Sequence, residues 1–376
     1  MARFCDLPES LVIEILLWLP ADYLITLKCV SKWWYGIIND PTFVANHLEY
    51  TKKRSSTSIL FKYLCCHEET RKNIDVKKLL TVSNNDIHSF KIDEDVSIPR
   101  FCKRNEHWTG PLGAQCNGFL CIADNDEGAI MLCNPVTKQS KVLSTSCIVQ
   151  DGFRKTDFLG FGYDSRANDY KIIRVVSFQV DEFIYLRTGP SRAELYSLRA
   201  DSWREIKGME MEMGRCMDSE EEAYCGGVYY WLVRGTDKAK IIAFDMCKEE
   251  FHTIQMPDEM QRLDLRMNLA VWNESVAVLM YPMWLPRLED PGIPYILMWV
   301  MSKGSPTWTM HQTIRLCKNI RGPLAFWKDD ELLLDDKNYR VVSYNLHTQR
   351  FVDLPLENVM WCRATVFVKT LVPLNL

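Results

Sequence analysis

The first fifty residues carry more apolar surface than so short a helical segment can bury within itself. From Leu7 to Leu48 the chain reads LPESLVIEILLWLPADYLITLKCVSKWWYGIINDPTFVANHL. Three or four short helices of about forty residues lie near the lower size limit for an independent core. The excess apolar surface therefore packs either on the rest of the chain or on a partner, and periodicity alone leaves both open.

Capping and stop signals predict where the helices begin and end. Asp6 with Glu9 three residues later is a capping box, and Pro8 falls near the first helical position, which predicts a first helix from about Pro8 to Trp18. Pro20 is predicted to end the first helix, Asp22 to cap a second and Ser31 to open a third. Asp40-Pro41 is predicted to end the third helix before a last short one.

The order of residues in this segment resembles the F-box. The matching positions are Leu7-Pro8, Glu14, Ile15-Leu16, Leu19-Pro20, Leu24, Val30-Ser31-Lys32, Trp34, Ile38, Pro41 and Phe43. The resemblance implies binding to a Skp-type adaptor, and through it to the cullin and RING subunits of a ubiquitin ligase. It also implies the residues that contact the adaptor: Leu7, Pro8, Leu11, Ile15, Leu16, Leu19, Pro20, Leu24, Val30, Trp34 and Ile38. Trp18 departs from the family pattern, where a basic residue is common, and is expected to alter the rim of the contact.

Composition indicates an ordinary globular protein of two or three domains. The chain has 376 residues, 47% of them hydrophobic and 25% charged, with a formal net charge of −4. The apolar run near the N-terminus is interrupted by Glu14 and ends at Pro20, so it predicts neither a signal peptide nor a membrane span. We expect a cytosolic or nuclear chain with reduced cysteines that binds neither membrane nor nucleic acid.

The pattern changes from helical to β after a polar segment, TKKRSSTS, at Thr51 to Ser58. The predicted units are a helical domain 1–50, a linker 51–57 and a β domain 58–376. In the β domain a motif recurs: an apolar run, a marker residue, a polar turn, and apolar positions six and nine residues after the marker. The markers lie 45 to 63 residues apart, at Asn134, Ser197, Asp245, Val300 and Asn345, and the Val300 copy has two extra residues.

Repeats of about fifty residues are in the kelch range, where each unit is a small sheet that buries its faces by stacking on its neighbours. The sequence thus predicts an α+β multidomain chain: a small all-α domain followed by an all-β, kelch-like propeller of about six blades. A large β-sandwich is the alternative. Apolar runs after the glycines near Cys116, Cys225 and Gly322 are each predicted to be a turn followed by a buried inner strand.

Enzyme motifs are missing from the sequence. LGFGYD at Leu159 has two glycines but no third and no following helix, and no GxxxxGK, GxSxG or HExxH occurs. Cys65-Cys66-His67 has no second ligand pair nearby, and Asp335-Asp336 is interpreted as the solvated end of a hairpin. We predict a non-catalytic protein without metal or cofactor.

Carboxylates are concentrated between Glu205 and Glu222. Such a run is either a solvated face or a docking strip for a basic partner. As a docking strip it offers four candidate substrate contacts: Asp218, Glu220, Glu221 and Glu222.

Blocks along the β domain resemble the plant F-box-associated domain, among them CNGFLCIADNDEGAIMLCNPVTKQSKVL and GGVYYWLVRGTDKAKIIAFDM. Three blocks, AELYSLRADSWREI, WVM and PLAFWKDDELLL, are similar to S-locus F-box proteins. That resemblance implies a receptor in the pollen-tube cytosol that binds S-ribonucleases for ubiquitination in self-incompatibility. An additional location in the nucleus is left open. A general plant F-box receptor with another target, and a propeller scaffold outside any ligase, are the alternatives.

Overall fold

The structure is a computed structural model, and part of the chain is described in it. The described residues are 7–53, 58–66, 73–82, 90–93, 115–123, 129–148, 153–179, 191–206, 221–234, 238–262, 264–282, 295–316, 320–328, 330–356 and 359–374. A helical N-terminal domain is followed by an all-β propeller domain, as the sequence predicts.

Four helices form the N-terminal domain, and their bounds are α1 (Glu9–Leu17), α2 (Ala21–Leu27), α3 (Lys32–Asn39) and α4 (Pro41–Lys53). Ser31 caps α3, since its Oγ accepts a hydrogen bond from the Trp34 backbone N–H at 3.2 Å. Asp40 caps α4 through bonds from the backbone N–H groups of Thr42 and Phe43.

Two expectations about these helices need correction. The N-cap of α1 is Pro8, which makes no side-chain capping bond, and the predicted cap Asp6 lies outside the described residues. The last helix, α4, is the longest of the four described ones and runs to Lys53, so the first residues of the predicted linker are helical.

The core of the helical domain consists of apolar side chains with no exposed surface, above all Val12, Leu16, Leu24 and Ile38. Buried His47 joins the helices, because its Nε2 lies 2.9 Å from the Leu19 carbonyl oxygen. Burial lowers the pKa of this imidazole, partly opposed by that hydrogen bond. The charged form of His47 is therefore disfavoured in the folded domain.

The described strands of the β domain form six four-stranded antiparallel sheets. The first contains β1 (Ser58–Cys66), β2 (Asn73–Val82), β3 (Phe90–Asp93) and the last strand, β24 (Val359–Phe367). The second sheet contains β4 (Gln115–Cys116), β5 (Phe119–Ala123), β6 (Ile130–Asn134) and β7 (Gln139–Val142), and the third contains β8 (Phe153–Asp164), β9 (Asp169–Gln179), β10 (Arg192–Ser197) and β11 (Ser202–Ile206). The fourth contains β12 (Glu222–Cys225), β13 (Val228–Arg234), β14 (Ala239–Asp245) and β15 (Glu250–Gln255), and the fifth contains β16 (Leu265–Trp272), β17 (Ser275–Pro282), β18 (Tyr295–Met301) and β19 (Trp308–Arg315). The sixth contains β20 (Ile320–Lys328), β21 (Glu331–Asp336), β22 (Val341–Asn345) and β23 (Phe351–Asp353). We number these blades 1 to 6 in that order.

The blades form a closed ring. In spatial order blade 1 consists of β24, β1, β2 and β3, so β24 is its first, inner strand. Neighbouring blades meet along these inner strands, with β24 beside β20, β20 beside β16 and β16 beside β12. Blade 1 is completed by both ends of the domain, because β24 pairs with β1 so that Ser58 lies opposite Phe367. Leu60 and Phe367 of this blade pack with Leu120 of blade 2 in one apolar cluster.

The sequence repeat corresponds to the hairpin between the third and fourth strands of a blade. Where the marker is polar, its side chain caps the turn: Asp245 Oδ1 accepts from the N–H groups of Cys247 and Lys248, both at 2.9 Å. Val300 cannot make such a bond. Four residues after each marker the backbone has positive φ, and these residues are Lys138, Asp201, Glu249, Gly304 and Gln349. In the Ser197, Asp245 and Asn345 copies, aromatic residues before the marker and six after it lie opposite each other, as Phe244 and Phe251 do at 4.7 Å between ring centroids.

One prediction about strand position is wrong. The apolar runs that follow Asn117-Gly118 and Gly226-Gly227 are β5 and β13, the second strands of blades 2 and 4. The inner strands are the short β4 and β12 that precede those turns. Both runs are buried by neighbouring blades on each side, so their hydrophobicity does not distinguish a second strand from a first.

Candidate functional site

The helical domain presents an exposed apolar surface along α1. Leu7, Leu11, Ile15 and Trp18 are spaced one helical turn apart and are exposed, with 45% exposure for Leu11 and 41% for Ile15. We call these four residues the α1 row. An exposed apolar row of this kind is typical of a protein-binding surface.

The structure separates the eleven predicted adaptor contacts into three groups. Those that are exposed are Leu7, Pro8, Leu11, Ile15, Pro20 and Val30, and those partly exposed are Leu19 and Trp34. The other three, Leu16, Leu24 and Ile38, have no exposed surface. They hold the helices together and cannot contact a partner unless the domain rearranges.

Several other large side chains of the helical domain are exposed and are not among the predicted adaptor contacts. Trp33 and Tyr35 in α3 and Tyr23 in α2 are exposed, and Trp18 was assigned only to the rim. The Trp33-Trp34 pair was the available signal, since two adjacent helical residues cannot both face one core.

The two ends of the propeller differ in the connections they carry. First and third strands run toward one end, which we call the turn face; its connections include Asn117-Gly118 and Gly226-Gly227. At the opposite end, the loop face, strand ends are joined by the longest intervening segments: 94–114, 180–190, 207–220 and 283–294. The helical domain enters at the turn face, because β1 begins there and β24 ends there. The helical domain and the strand ends that the long segments join thus lie at opposite ends of the propeller.

Two of the four predicted acidic contacts are described in the structure, and both lie at the loop face. Asp218 and Glu220 lie outside the described residues, whereas Glu221 and Glu222 stand at the start of β12. The Glu221 carboxylate accepts a hydrogen bond from the Leu269 backbone N–H at 3.2 Å, which ties blade 4 to blade 5. Glu221 is therefore partly engaged in joining blades.

Glu222 is surrounded by protein although part of its side chain reaches solvent. Burial raises the pKa of its carboxyl to about 7, against the lowering effects of Arg363 and of a hydrogen bond with Tyr229. Near neutral pH this carboxyl is thus partly protonated. The structure does not support Glu221 and Glu222 as a freely solvated docking strip, because each is tied to neighbouring groups inside the ring.

A second charged cluster lies at the same end of blade 6. Arg321 binds the Asp335 carboxylate through Nη2 at 2.6 and 2.8 Å, and its guanidinium stacks over the Tyr339 ring at 4.7 Å. Burial raises the pKa of Asp335 to about 6 despite Arg321. Asp335 and Asp336 are 8% and 3% exposed, so their prediction as a solvated hairpin end is wrong.

Metal ligands do not cluster in the part of the chain that the structure describes, where no three His, Cys, Asp or Glu side chains are placed to share an ion. Within the same residues, none of the helices is long and apolar enough to cross a membrane. The side chains of Cys65-Cys66-His67 lie outside the described ones. The exposed apolar side chains of the α1 row make it one candidate functional region. The loop face is the other candidate, because the longest segments of the chain join the strand ends there.

Comparison with known proteins connects the two domains. The model of the F-box associated beta propeller domain matches residues 71–360, and the model of the F-box domain matches residues 4–46. F-box protein CPR1 of Arabidopsis thaliana is 24% identical over 94% of this chain and 85% of its own length. An F-box/kelch-repeat protein of Arabidopsis thaliana is 24% identical over 98% of this chain and 96% of its own. Among solved structures, TolB from Acinetobacter baumannii aligns with a TM-score of 0.44 at 10% identity, over 86% of this chain and 73% of that one.

Proposed function

Because the chain belongs to the F-box proteins that carry an F-box associated beta propeller domain, we propose that it is the substrate-recognition subunit of an SCF-type ubiquitin ligase. F-box domains bind Skp1 in such complexes, and F-box proteins are in general non-catalytic subunits. In this proposal the α1 row, with Pro8, Pro20 and Val30, contacts the Skp-type adaptor, which brings cullin and RING subunits. The propeller holds the target near the ubiquitin-loaded enzyme, and its contribution to rate is proximity.

The observation that carries this proposal is the placement of two surfaces at opposite ends of one molecule. The exposed α1 row belongs to the domain at the turn face, and the strand ends that the longest segments join are at the loop face. Loops at one end of a rigid β scaffold are a common location for recognition residues. A target bound at the loop face leaves the adaptor surface accessible.

We further propose that the target is an S-ribonuclease in the pollen-tube cytosol, and that the protein acts in self-incompatibility. The support is the resemblance of AELYSLRADSWREI, WVM and PLAFWKDDELLL to S-locus F-box proteins. Asp218 and Glu220 remain candidate contacts for a basic target. Glu221 and Glu222 are no longer proposed as contacts, because both are bound to groups within the ring. A different protein target would make the chain a general plant F-box receptor.

The adaptor contact is tested by adding a charge to the α1 row. In Ile15→Asp the carboxylate replaces a side chain that is 41% exposed, so we expect a folded chain that no longer co-purifies with a Skp-type adaptor. Met310→Asp is the matched control, because Met310 is 43% exposed on β19 of the propeller. Leu16→Asp is unsuitable, since it would place a charge in the helical core.

Adaptor binding by Ile15→Asp equal to that of the control would remove the α1 row from the interface, and an adaptor that fails to bind the unaltered chain would refute the ligase proposal. The target is tested separately, with the full chain and its adaptor titrated against a panel of purified S-ribonucleases. Binding to none of them, with adaptor binding intact, would leave the receptor role and reject the S-ribonuclease target.

A further inference from the structure

The residues after the last propeller strand form a tail that lies between the helical domain and the ring. Thr370, Leu371, Val372 and Leu374 are buried, with at most 8% exposure. The Val372 N–H donates to Thr370 Oγ1 at 3.1 Å, which folds the tail on itself. The main chain of this segment is bound by specific side chains of the ring.

Asn134, the turn marker of blade 2, binds the tail. Its Oδ1 caps its own hairpin by accepting from Val136 and Thr137 at 3.0 and 3.3 Å, as markers do in other blades. Its Nδ2 donates to the carbonyl oxygens of Thr370 and Val372 at 3.2 and 2.9 Å. Asn134 is completely buried, so all of its hydrogen-bonding capacity serves these two tasks.

Blade 2 offers two further contacts to the tail. Gln139 Oε1 accepts a hydrogen bond from the Leu374 backbone N–H at 3.0 Å. Gly118 lies against the tail so closely that a Cβ on it would overlap the Val368 carbonyl oxygen and the Thr370 side chain. Gly227 occupies the same turn of blade 4 with the same φ of +83°, and a Cβ there would meet nothing within 4 Å. The close approach is therefore a property of the tail seat and not of the turn.

The opposite side of the tail faces the helical domain. The Lys369 ammonium forms an ion pair with the Asp22 carboxylate in α2. Leu371 and Leu374 belong to one continuous apolar cluster that also contains Val12 and Leu16 of α1 and Phe119 of blade 2. Apolar burial thus runs from the helices through the tail into the ring.

We propose that the tail, Val368–Leu374, is the joint that fixes the helical domain on the propeller, and that Asn134 and Gly118 form its seat. Two domains that share a single peptide connection move relative to each other by default unless an interface fixes them. With the tail seated, the α1 row and the loop face keep a fixed relative position. The consequence for ubiquitin transfer rests on the proposed function, whereas the joint itself does not.

The joint is tested by cleaving the peptide connection between the helical domain and the propeller and measuring whether the two fragments remain associated. A recognition site for a specific protease is inserted between Lys53 and Ser58 of the full chain, the purified protein is cleaved, and co-elution of the two fragments is measured by size-exclusion chromatography. We expect the fragments of the otherwise unaltered chain to co-elute. Gly118→Ala should make them separate, whereas Gly227→Ala should not, because both variants strain the same turn and only the first collides with the tail.

A second pair of variants removes hydrogen bonds without adding bulk. Asn134→Asp keeps the capping oxygen but replaces the donor to Thr370 and Val372 with an acceptor, and we expect dissociation of the fragments. Asp245→Asn in blade 4 is its control, and circular dichroism checks that each variant is folded. Fragments that separate in the unaltered chain, or that co-elute in both Gly118→Ala and Asn134→Asp, would overturn the joint. These readouts need no adaptor or target, so they remain decisive if the ligase proposal fails.

Discussion

Replacing the partly buried Glu222 with glutamine should make the stability of the protein less dependent on pH. The side chain stands at the start of β12 among protein groups of the ring, and burial is the main cause that raises its pKa to about 7 from the ordinary glutamate value of 4.5. Glutamine keeps the size of the side chain and its hydrogen bonding to Tyr229 but cannot ionise. The substitution therefore removes the titration and little else.

The sign and size of the effect follow from proton linkage. The folded state holds the Glu222 proton more tightly than the unfolded state, so between about pH 4.5 and 7 the folded chain binds more protons and its stability falls as pH rises. The difference between the two pKa values corresponds to roughly 3 kcal/mol at most. Contact of the side chain with solvent reduces this figure, so it is an upper value. Above pH 7 we expect Glu222→Gln to be more stable than the unaltered chain by up to that amount, and near pH 4.5 the two should be equal.

The assay is urea unfolding of both proteins between pH 5 and 8, followed by tryptophan fluorescence. Other groups that titrate in this range, Asp335 among them, are present in both chains and cancel in the difference. Glu259→Gln is the control, because Glu259 is exposed in the turn Asp258–Met260. A stability difference between Glu222→Gln and the unaltered chain that stays constant from pH 5 to 8 would refute the assigned pKa and its cause.

Three further predictions concern stability and are checked by urea or thermal unfolding. Leu16→Ala should destabilise the helical domain by about 2–5 kcal/mol, because Leu16 is completely buried. Leu11→Ala on the same helix should destabilise it by much less, because Leu11 is exposed. Equal losses of stability would contradict the assigned inner face of α1. Arg321→Gln should lower the free energy of unfolding by about 3–5 kcal/mol, because it leaves the Asp335 carboxylate buried without its cation. Adding Asp335→Asn should recover part of this stability. If it recovers none, the loss of the ion pair is not the cause. Gly160→Ala should lower the free energy of unfolding by about 1–3 kcal/mol, because its Cβ would approach Trp231 at 2.7 Å. Gly36→Ala in α3, where nothing lies within 4 Å of the new Cβ, should raise it by about 0.5–1 kcal/mol. A loss of stability in both variants would point to a backbone effect.

Much of the propeller is visible in the sequence because its turns are built from local interactions. An Asn or Asp marker caps the N–H groups two and three residues ahead, and the left-handed residue follows at the fourth position, as with Asn345 and Gln349. The aromatic pair across the hairpin is also set by spacing, since Tyr344 and Phe351 face each other in register. Each of these relations spans fewer than about ten residues, so a single chain displays it.

The candidate site was predicted less completely, and the errors have a physical origin. Ile15 and Leu16 are adjacent and both apolar, yet one is 41% exposed and the other is not exposed. A helix that is apolar on most sides carries no polar stripe to show which side faces inward. Similarly, the sequence around Asp335 is that of a solvated hairpin end. Only the structure shows that Arg321 from the neighbouring strand binds this carboxylate.

By itself, the sequence determined the family, the division into helices and strands, and the turn that closes each repeat, because short-range periodicity, capping and backbone preference specify them. The tertiary structure alone decided which apolar helix residues are left exposed, which end of the ring carries the long connections, and which carboxyls are buried. It also decided that Asn134 binds the tail at Val372, 238 residues further along the chain. Contacts over such distances depend on ring closure by β24 and β1, and no local pattern in the chain records them.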